Sequence, residues 1–254
     1  MSRQGRLIIL SRIPYAPASS LQEYLASRRL SDILPDTLLL LEHNPVFTAG
    51  RTAKIADCPV DKESPSEIPI QIVRVNRGGS VTYHGPGQVV GYPVLRLRDH
   101  CAGPKPYVSL LEDMLIRTLA DWGIPGRRRD RLPGVWVDSD CPMKIASIGV
   151  RISQGITTHG FALNVDMDLQ PFLRIVPCGI LGCQVTSMAA VLSRPVGITQ
   201  VMLTLAAHFA DIFGVLWTAK YDLRDSLLGC PDNHLDPWLG EVEIAGDGTE
   251  TGRW

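Results

Sequence analysis

Hydrophobic positions along this chain fall into short runs with two different periods. Leu7-Ile8-Ile9-Leu10 and Thr37-Leu38-Leu39-Leu40-Leu41-Glu42 are unbroken apolar runs, the pattern of strands covered on both faces. The second predicts a central strand that delivers His43 at its end. Residues 71–76 alternate, and so do residues 144–152, where a period of two puts Lys144, Ala146, Ile148 and Val150 on one face. A further strand is expected over 158–165, joined to the previous one by a turn at Gln154-Gly155, and a short one over 134–137. Helical spacing appears in three places. Pro14 and Pro17 break the first strand, after which Ser20 with Glu23 forms a capping box and Leu21 and Leu25 share a face, predicting a helix over 20–30. Val108, Leu111, Leu115, Leu119 and Trp122 mark the buried stripe of a long helix that stops at Gly123. Val201, Leu205, Ala206 and Phe209 mark another, and residues 168–173 read as a short helix. Residues 52–69 form a polar, proline-bearing loop.

A length of 254 residues with 45% hydrophobic and 20% charged positions suffices for one full core. Residues 1–230 read as a single catalytic domain. Residues 231–254 carry six acidic residues and one basic and read as a loosely ordered tail. The formal net charge of −1 gives no global field toward nucleic acid. No run approaches the ~18 apolar residues of a membrane span, and the start is not a signal peptide, so the expected setting is cytoplasmic. Six cysteines without a Cys-x-x-Cys pair read as free thiols rather than as staples or a metal site.

One stretch concentrates unusual chemistry: Arg77-Gly78-Gly79-Ser80-Val81-Thr82-Tyr83-His84-Gly85-Pro86-Gly87-Gln88. Glycines let backbone approach a ligand closely, a few polar side chains are directed from one segment, and apolar strands stand behind them. By composition alone it could equally be a glycine-rich hairpin loop with a solvated arginine. The order and density of the residues decide otherwise. The stretch closely resembles the signature of the lipoyl(octanoyl) transferase family, in which Arg-Gly-Gly and two variable residues precede Thr-Tyr-His-Gly-Pro-Gly-Gln. The resemblance extends over roughly residues 38–190. It includes His43 through Arg51, Lys144-Ile145-Ala146-Ser147-Ile148-Gly149-Val150, residues 158–165 and Pro177-Cys178-Gly179-Ile180, in the same order.

That resemblance implies an α/β fold, a mixed sheet with helices packed mainly on one side, like the biotin and lipoate protein ligases. It implies Cys178 as nucleophile and Lys144 as its partner, an ammonium that stabilises the thiolate and shuttles protons. Arg77, Gly78, Gly79, Ser80, Val81, Thr82, Tyr83 and His84, with Ser147, Ile148, Gly149, Gly160, Phe161 and Ala162, would line the substrate channel. Backbone amides near Cys178, or in a turn at 147–149, are candidate oxyanion donors. The implied reaction moves an octanoyl group from the phosphopantetheine arm of octanoyl-acyl carrier protein to a lysine of a lipoyl domain. The targets are the lipoyl domains of 2-oxoacid dehydrogenase complexes and the glycine cleavage H protein. No metal, nucleotide or other cofactor is needed, because the donor arrives activated. The rivals are an ATP-dependent lipoate or biotin ligase of the same fold and a non-catalytic acyl-carrier-binding module. His43 reads as a hydrogen-bonded structural residue, and His159 either as a core histidine or as one orienting a pocket group. Arg127, Arg128, Arg129 and Arg131 form the one concentrated basic run, either a solvated surface or a docking patch for the acidic carrier. Cys183 reads as structural.

Overall fold

The computed structural model describes residues 3–57, 70–138, 141–180 and 182–222; the tail assigned from sequence, with Cys58 and Cys230, lies outside them. In chain order the elements are β1 (Arg3–Ile13), α1 (Tyr15–Leu30), β2 (Asp36–His43), β3 (Val46–Ala49), β4 (Gln71–Arg74), β5 (Val81–His84), β6 (Gln88–Val94), α2 (Pro104–Asp121), β7 (Gly126–Arg127), β8 (Val135–Val137), β9 (Met143–Ser153), β10 (Ile156–Asn164), β11 (Gln184–Val185), α3 (Met188–Leu192), α4 (Ile198–Phe213) and β12 (Val215–Asp222).

A nine-stranded mixed sheet runs β12-β1-β2-β6-β10-β9-β8-β7, with β11 added beside β9, and β4-β3-β5 form a separate small sheet. β1 lies parallel to both β12 and β2, and the pairs from β2 to β7 are antiparallel. The unbroken apolar run of β2 is explained by burial on both sides. Leu38 and Leu40 enter the core that holds α2 and α4, while Leu39 and Leu41 face α1. α2, α3 and α4 cover one face of the sheet and α1 the other, so the expected bias of helices to one side holds with α1 as the exception.

The first helix begins earlier than its sequence suggested. It starts at Tyr15 after Pro14, with no side-chain cap, so Ser20 and Glu23 sit inside it. Pro17 does not end anything. It occupies the first turn, where a backbone N–H has no partner in the helix and its absence costs nothing. The stripe of α2 is centred on Tyr107, Leu111, Met114, Leu115 and Leu119, and Val108 is only half-buried. The β9–β10 turn has Gln154 and Gly155 both at positive φ, as a two-residue hairpin requires. Residues 170–174 form a 3-10 turn in place of the expected short helix.

A buried ion cluster fixes where α1, β2 and the segment after β6 meet. Asp36 accepts from Arg29 Nε at 2.6 Å and from the Arg96 amide at 3.0 Å, and His100 Nε2 stands 2.6 Å from its other oxygen. Burial alone would raise the Asp36 carboxyl. The bonds from His100, Arg29 and Arg96 outweigh it and hold the group below its ordinary range. Asp36→Ala should cost ~1–3 kcal/mol: Arg29 keeps Asp32 at 2.7 Å and Asp99 at 3.3 Å, but its buried Nε, the Arg96 amide and the His100 ring lose their acceptor. A depressed carboxyl contributes fully above its unfolded value of about 4, and that contribution is lost as pH falls through the folded value. Urea midpoints of wild type and variant should therefore differ widely at pH 7 and converge in acid; a gap independent of pH would contradict this assignment.

Candidate active site

A cavity of about 290 Å³ opens between β5, β6, β9 and β10 and the loop carrying Cys178. β5 supplies its wall by simple alternation. Ser80, Thr82 and His84 face the cavity together with Arg77, Gly78 and Gly79. Val81 and Tyr83, expected from sequence to line the channel, point the other way and pack with Phe47, Phe172 and Ile175. The period of two in a strand makes that outcome unavoidable once Thr82 faces the ligand space. Ser147, Ile148, Gly149, Gly160, Phe161 and Ala162 all line the cavity as expected. The segment 147–149 is not a turn. It lies within β9 and pairs with β10 through Ser147–Ala162, Ile148–Phe161 and Gly149–Gly160.

β9 departs from its sequence pattern at Lys144. Strict alternation would put Lys144 with Ala146, in the core against α2. The β8 register instead steps from Val135–Ala146 to Trp136–Lys144, so Ile145 is an extra residue in β9. This bulge reverses the alternation and brings Lys144 to the side of Ser147 and Gly149. There Lys144 Nζ donates to Cys178 Sγ at 3.2 Å, and Ser147 Oγ lies 3.9 Å from the same sulfur. The Lys144 ammonium also stands 5.1 Å from the centre of the Trp136 ring, a cation–π seat that no spacing in the chain indicates. Gly134, at φ +119, closes over the lysine stem. A Cβ there would come within 2.7 Å of Lys144 Cε, and the Gly134 amide is held by the Glu112 carboxylate at 3.0 Å. Among the described residues no carboxylate pairs with Lys144.

Cys178 sits in a 3-10 turn, Pro177–Gly179, with φ 58° and ψ 15°. A left-handed cysteine carries strain of order 1–3 kcal/mol, the kind that persists where surrounding structure fixes a reactive group. The loop is tied down by the Asp57 carbonyl, which accepts from the Val176 amide at 3.1 Å, while the Asp57 carboxylate accepts from Ser80 Oγ at 2.6 Å. The Gly179 and Ile180 amides are spent on the Val176 and Pro177 carbonyls, so they are not free for an oxyanion. Cys183 is pushed up by burial, opposed by Lys144.

Arg77 is buried and has no carboxylate partner among the described residues. Its Nη2 donates to Thr48 O at 2.8 Å and Thr48 Oγ1 at 2.9 Å, and its Nη1 to Gly78 O at 2.9 Å. Burial pushes its pKa down, and the nearby Cys178 sulfur opposes that shift. Gly149 is required here because a Cβ would stand 3.0 Å from Arg77 Cδ and from Gly78 O. The Thr48 hydroxyl continues a chain. His84 Nε2 lies 3.3 Å from it, His84 Nδ1 donates to Gln88 Oε1 at 2.7 Å, and Gln88 Nε2 donates to Asn164 Oδ1 at 2.9 Å. Asn164 donates to the Thr186 carbonyl, and the Thr186 amide donates to Lys144 O, both at 2.9 Å. Arg77 and Lys144 are thus positioned by one network, built from the histidine and glutamine of the signature.

His43 lies behind the wall. Its Nδ1 donates to Ile13 O at 3.1 Å, so Nε2 accepts from Tyr92 Oη at 2.7 Å, and burial pushes its pKa down to about 4. It is structural, as read from sequence. His159 lines the cavity and is pushed to about 4 by burial, then by Arg77 and Arg151. Tyr15 and Tyr92 complete the inner end. Tyr15 reaches the cavity because α1 starts at Tyr15, five residues before the capping-box pattern predicts. The basic run is not a bare patch. Arg127 and Arg129 face Asp138 at 3.1 and 3.6 Å, Arg128 bridges Glu112 and Asp113, and Arg131 lies 3.6 Å from Asp130. Among the described residues no cluster of histidine, cysteine, aspartate and glutamate could hold a metal ion, and no helix is long and apolar enough to cross a membrane.

Residues 14–210 match the lipoyl protein ligase A/B catalytic domain, and the chain belongs to that family. It is 43% identical over 218 residues to an octanoyltransferase from Koribacter versatilis, covering 84% of this chain and 86% of that one. An octanoyltransferase from Acidobacterium capsulatum is 45% identical over 225 residues, covering 83% and 92%. These relatives make the chain an acyltransferase. Among solved structures, a bipartite lipoate protein ligase from Thermoplasma acidophilum, described with its E2 lipoyl domain, superposes with TM-score 0.66 at 17% identity over 85% of this chain and 86% of that one. Lipoate-protein ligase A bound with ATP gives 0.63 at 17% identity over 85% and 88%. At these identities the two establish the fold: a lipoate protein ligase-like mixed sheet.

The left-handed backbone at Cys178 gives a test independent of activity. Cys178→Gly should be more stable than Cys178→Ala by about 1 kcal/mol, because only glycine adopts φ 58° without steric cost. Equal denaturation midpoints would mean that the turn is unstrained.

Proposed function

We propose that the protein transfers an octanoyl group from octanoyl-acyl carrier protein to a specific lysine of lipoyl domains, through an octanoyl thioester on Cys178. The observation that carries this reading is the Lys144 ammonium 3.2 Å from the Cys178 sulfur, at the wall of a largely apolar cavity. The octanoyltransferase names of the relatives support the acyl group. The lipoate ligase described with a lipoyl domain supports the acceptor class, here the lipoyl domains of 2-oxoacid dehydrogenase complexes and the glycine cleavage H protein.

In the first half-reaction the Cys178 thiolate attacks the thioester carbonyl, and the C–S bond to the carrier breaks. The Lys144 ammonium gives its proton to the departing thiolate. In the second, the target amine attacks the Cys178 thioester and the now neutral Lys144 takes a proton from it. The amide forms, and the thiolate and ammonium are restored. The tetrahedral oxyanion needs a donor. Because the Gly179 and Ile180 amides are occupied, the uncommitted N–H groups of Arg77 take that role in this reading. Exchange of one thioester for another needs no further activation, so neither a metal nor a nucleotide takes part. The reaction belongs in the cytoplasm, where carrier and acceptors meet.

Octanoylation of an isolated lipoyl domain, followed by mass spectrometry with and without ATP, tests the reading. Transfer is expected without ATP and should fall at least ~10³-fold in Cys178→Ser, while Cys183→Ser keeps most activity. Transfer that requires ATP and survives Cys178→Ser would instead make the protein a ligase.

A further inference from the structure

Behind the candidate active site lies a second cavity of about 200 Å³ between α1 and the β9–β10 hairpin, bordered by Ser19, Gln22, Ala26, Ser153 and Thr158. Among the described residues His159 is the one side chain that lines both cavities. From Ser147, beside the Cys178 sulfur, β9 runs three residues to Val150, whose partner across the hairpin is His159. Three residues of strand rise span about 10 Å, a length on the scale of a medium acyl chain. His159 therefore stands between the inner end of the channel and the second cavity.

That residue is held firmly. The His159 backbone sits at φ 55° in the left-handed region. Its amide donates to Oε1 of Gln22 at 2.9 Å, and Gln22 is itself only 2% exposed on α1. The ring meets Tyr92 edge-on at 6.4 Å. Tyr92 is in turn fixed by its bond to His43, so the backbone, the ring and its neighbour all have defined places.

We infer that His159 is the end-stop that sets acyl chain length: a donor chain longer than the channel collides with the imidazole instead of passing into the second cavity. The inference rests on the acyl-transfer reading above and adds the residue that selects among donors. Polar and charged residues make up most of the border of the second cavity, so a longer chain must displace their hydration to enter it. Selection therefore comes from excluding long chains, and removing the imidazole should abolish it without creating tight binding of long ones.

The test is kcat/KM for octanoyl, decanoyl and dodecanoyl thioesters of a small thiol, in wild type and His159→Gly. Glycine is chosen because it accepts the left-handed backbone. The dodecanoyl-to-octanoyl ratio should rise about tenfold or more, the low end of what one misfitted methylene is worth in an apolar pocket. Adding Ala26→Leu, which fills the second cavity from α1, should return the ratio toward wild type; a general loosening of the fold would not be reversed in this way. His159→Asn, which also tolerates positive φ, supplies the same comparison if the glycine variant does not fold. A ratio unchanged in an active variant would overturn the end-stop. A wild type inert toward every thioester would overturn the transfer reading itself, and the end-stop with it.

Discussion

The contact between the Lys144 ammonium and the Cys178 sulfur depends on Ile145 being one residue too many. Without the bulge, β9 would continue its alternation and carry Lys144 into the core beside Ala146, where an unpaired ammonium costs several kcal/mol. With it, the lysine crosses to the cavity side while the rest of the strand still packs Ala146, Ile148 and Val150 against the helices. The surroundings then hold it. Trp136 lies under the ammonium, Gly134 leaves room for the stem, and Glu112 anchors Gly134 from α2. A cation placed this way, with no carboxylate partner among the described residues, has the Cys178 sulfur as its nearest acceptor.

The second requirement is met by the loop at the opposite wall. Cys178 adopts a backbone that cysteine disfavours, and the 55–57 turn keeps it there through the Val176 amide and Ser80. Two elements distant in sequence, a bulged strand and a strained turn, thus converge on one sulfur. Arg77 adds a second cation, oriented by Thr48. The network from Thr48 through His84, Gln88 and Asn164 to Thr186 links it to the strand carrying the lysine.

Much of this was legible in the chain. The apolar run of β2, the β9–β10 hairpin with its Gln-Gly turn, and the stripes of α2 and α4 all follow from period and turn chemistry. The pairing of Cys178 with Lys144 came from resemblance alone, and alternation argued against it, because a bulge leaves no mark in a period-two pattern. Val81 and Tyr83 were carried along with their motif although their parity in β5 already turned them away from the cavity. Tyr15 was missed because Pro17 looked like a break, when a proline in the first turn of a helix is harmless. The four arginines of residues 127–131 looked like a patch because their carboxylate partners, Asp138, Glu112 and Asp113, come from other elements. Only Asp130 was adjacent in the run.

The most direct test of the account is the intact mass of the protein after mixing with octanoyl-acyl carrier protein alone, with no ATP and no acceptor. The account predicts a gain of one octanoyl group, located on Cys178 by peptide mapping, released by hydroxylamine, and formed far more slowly in Lys144→Met. A protein that stays unmodified, or one octanoylated at another residue with Cys178 free, would contradict it.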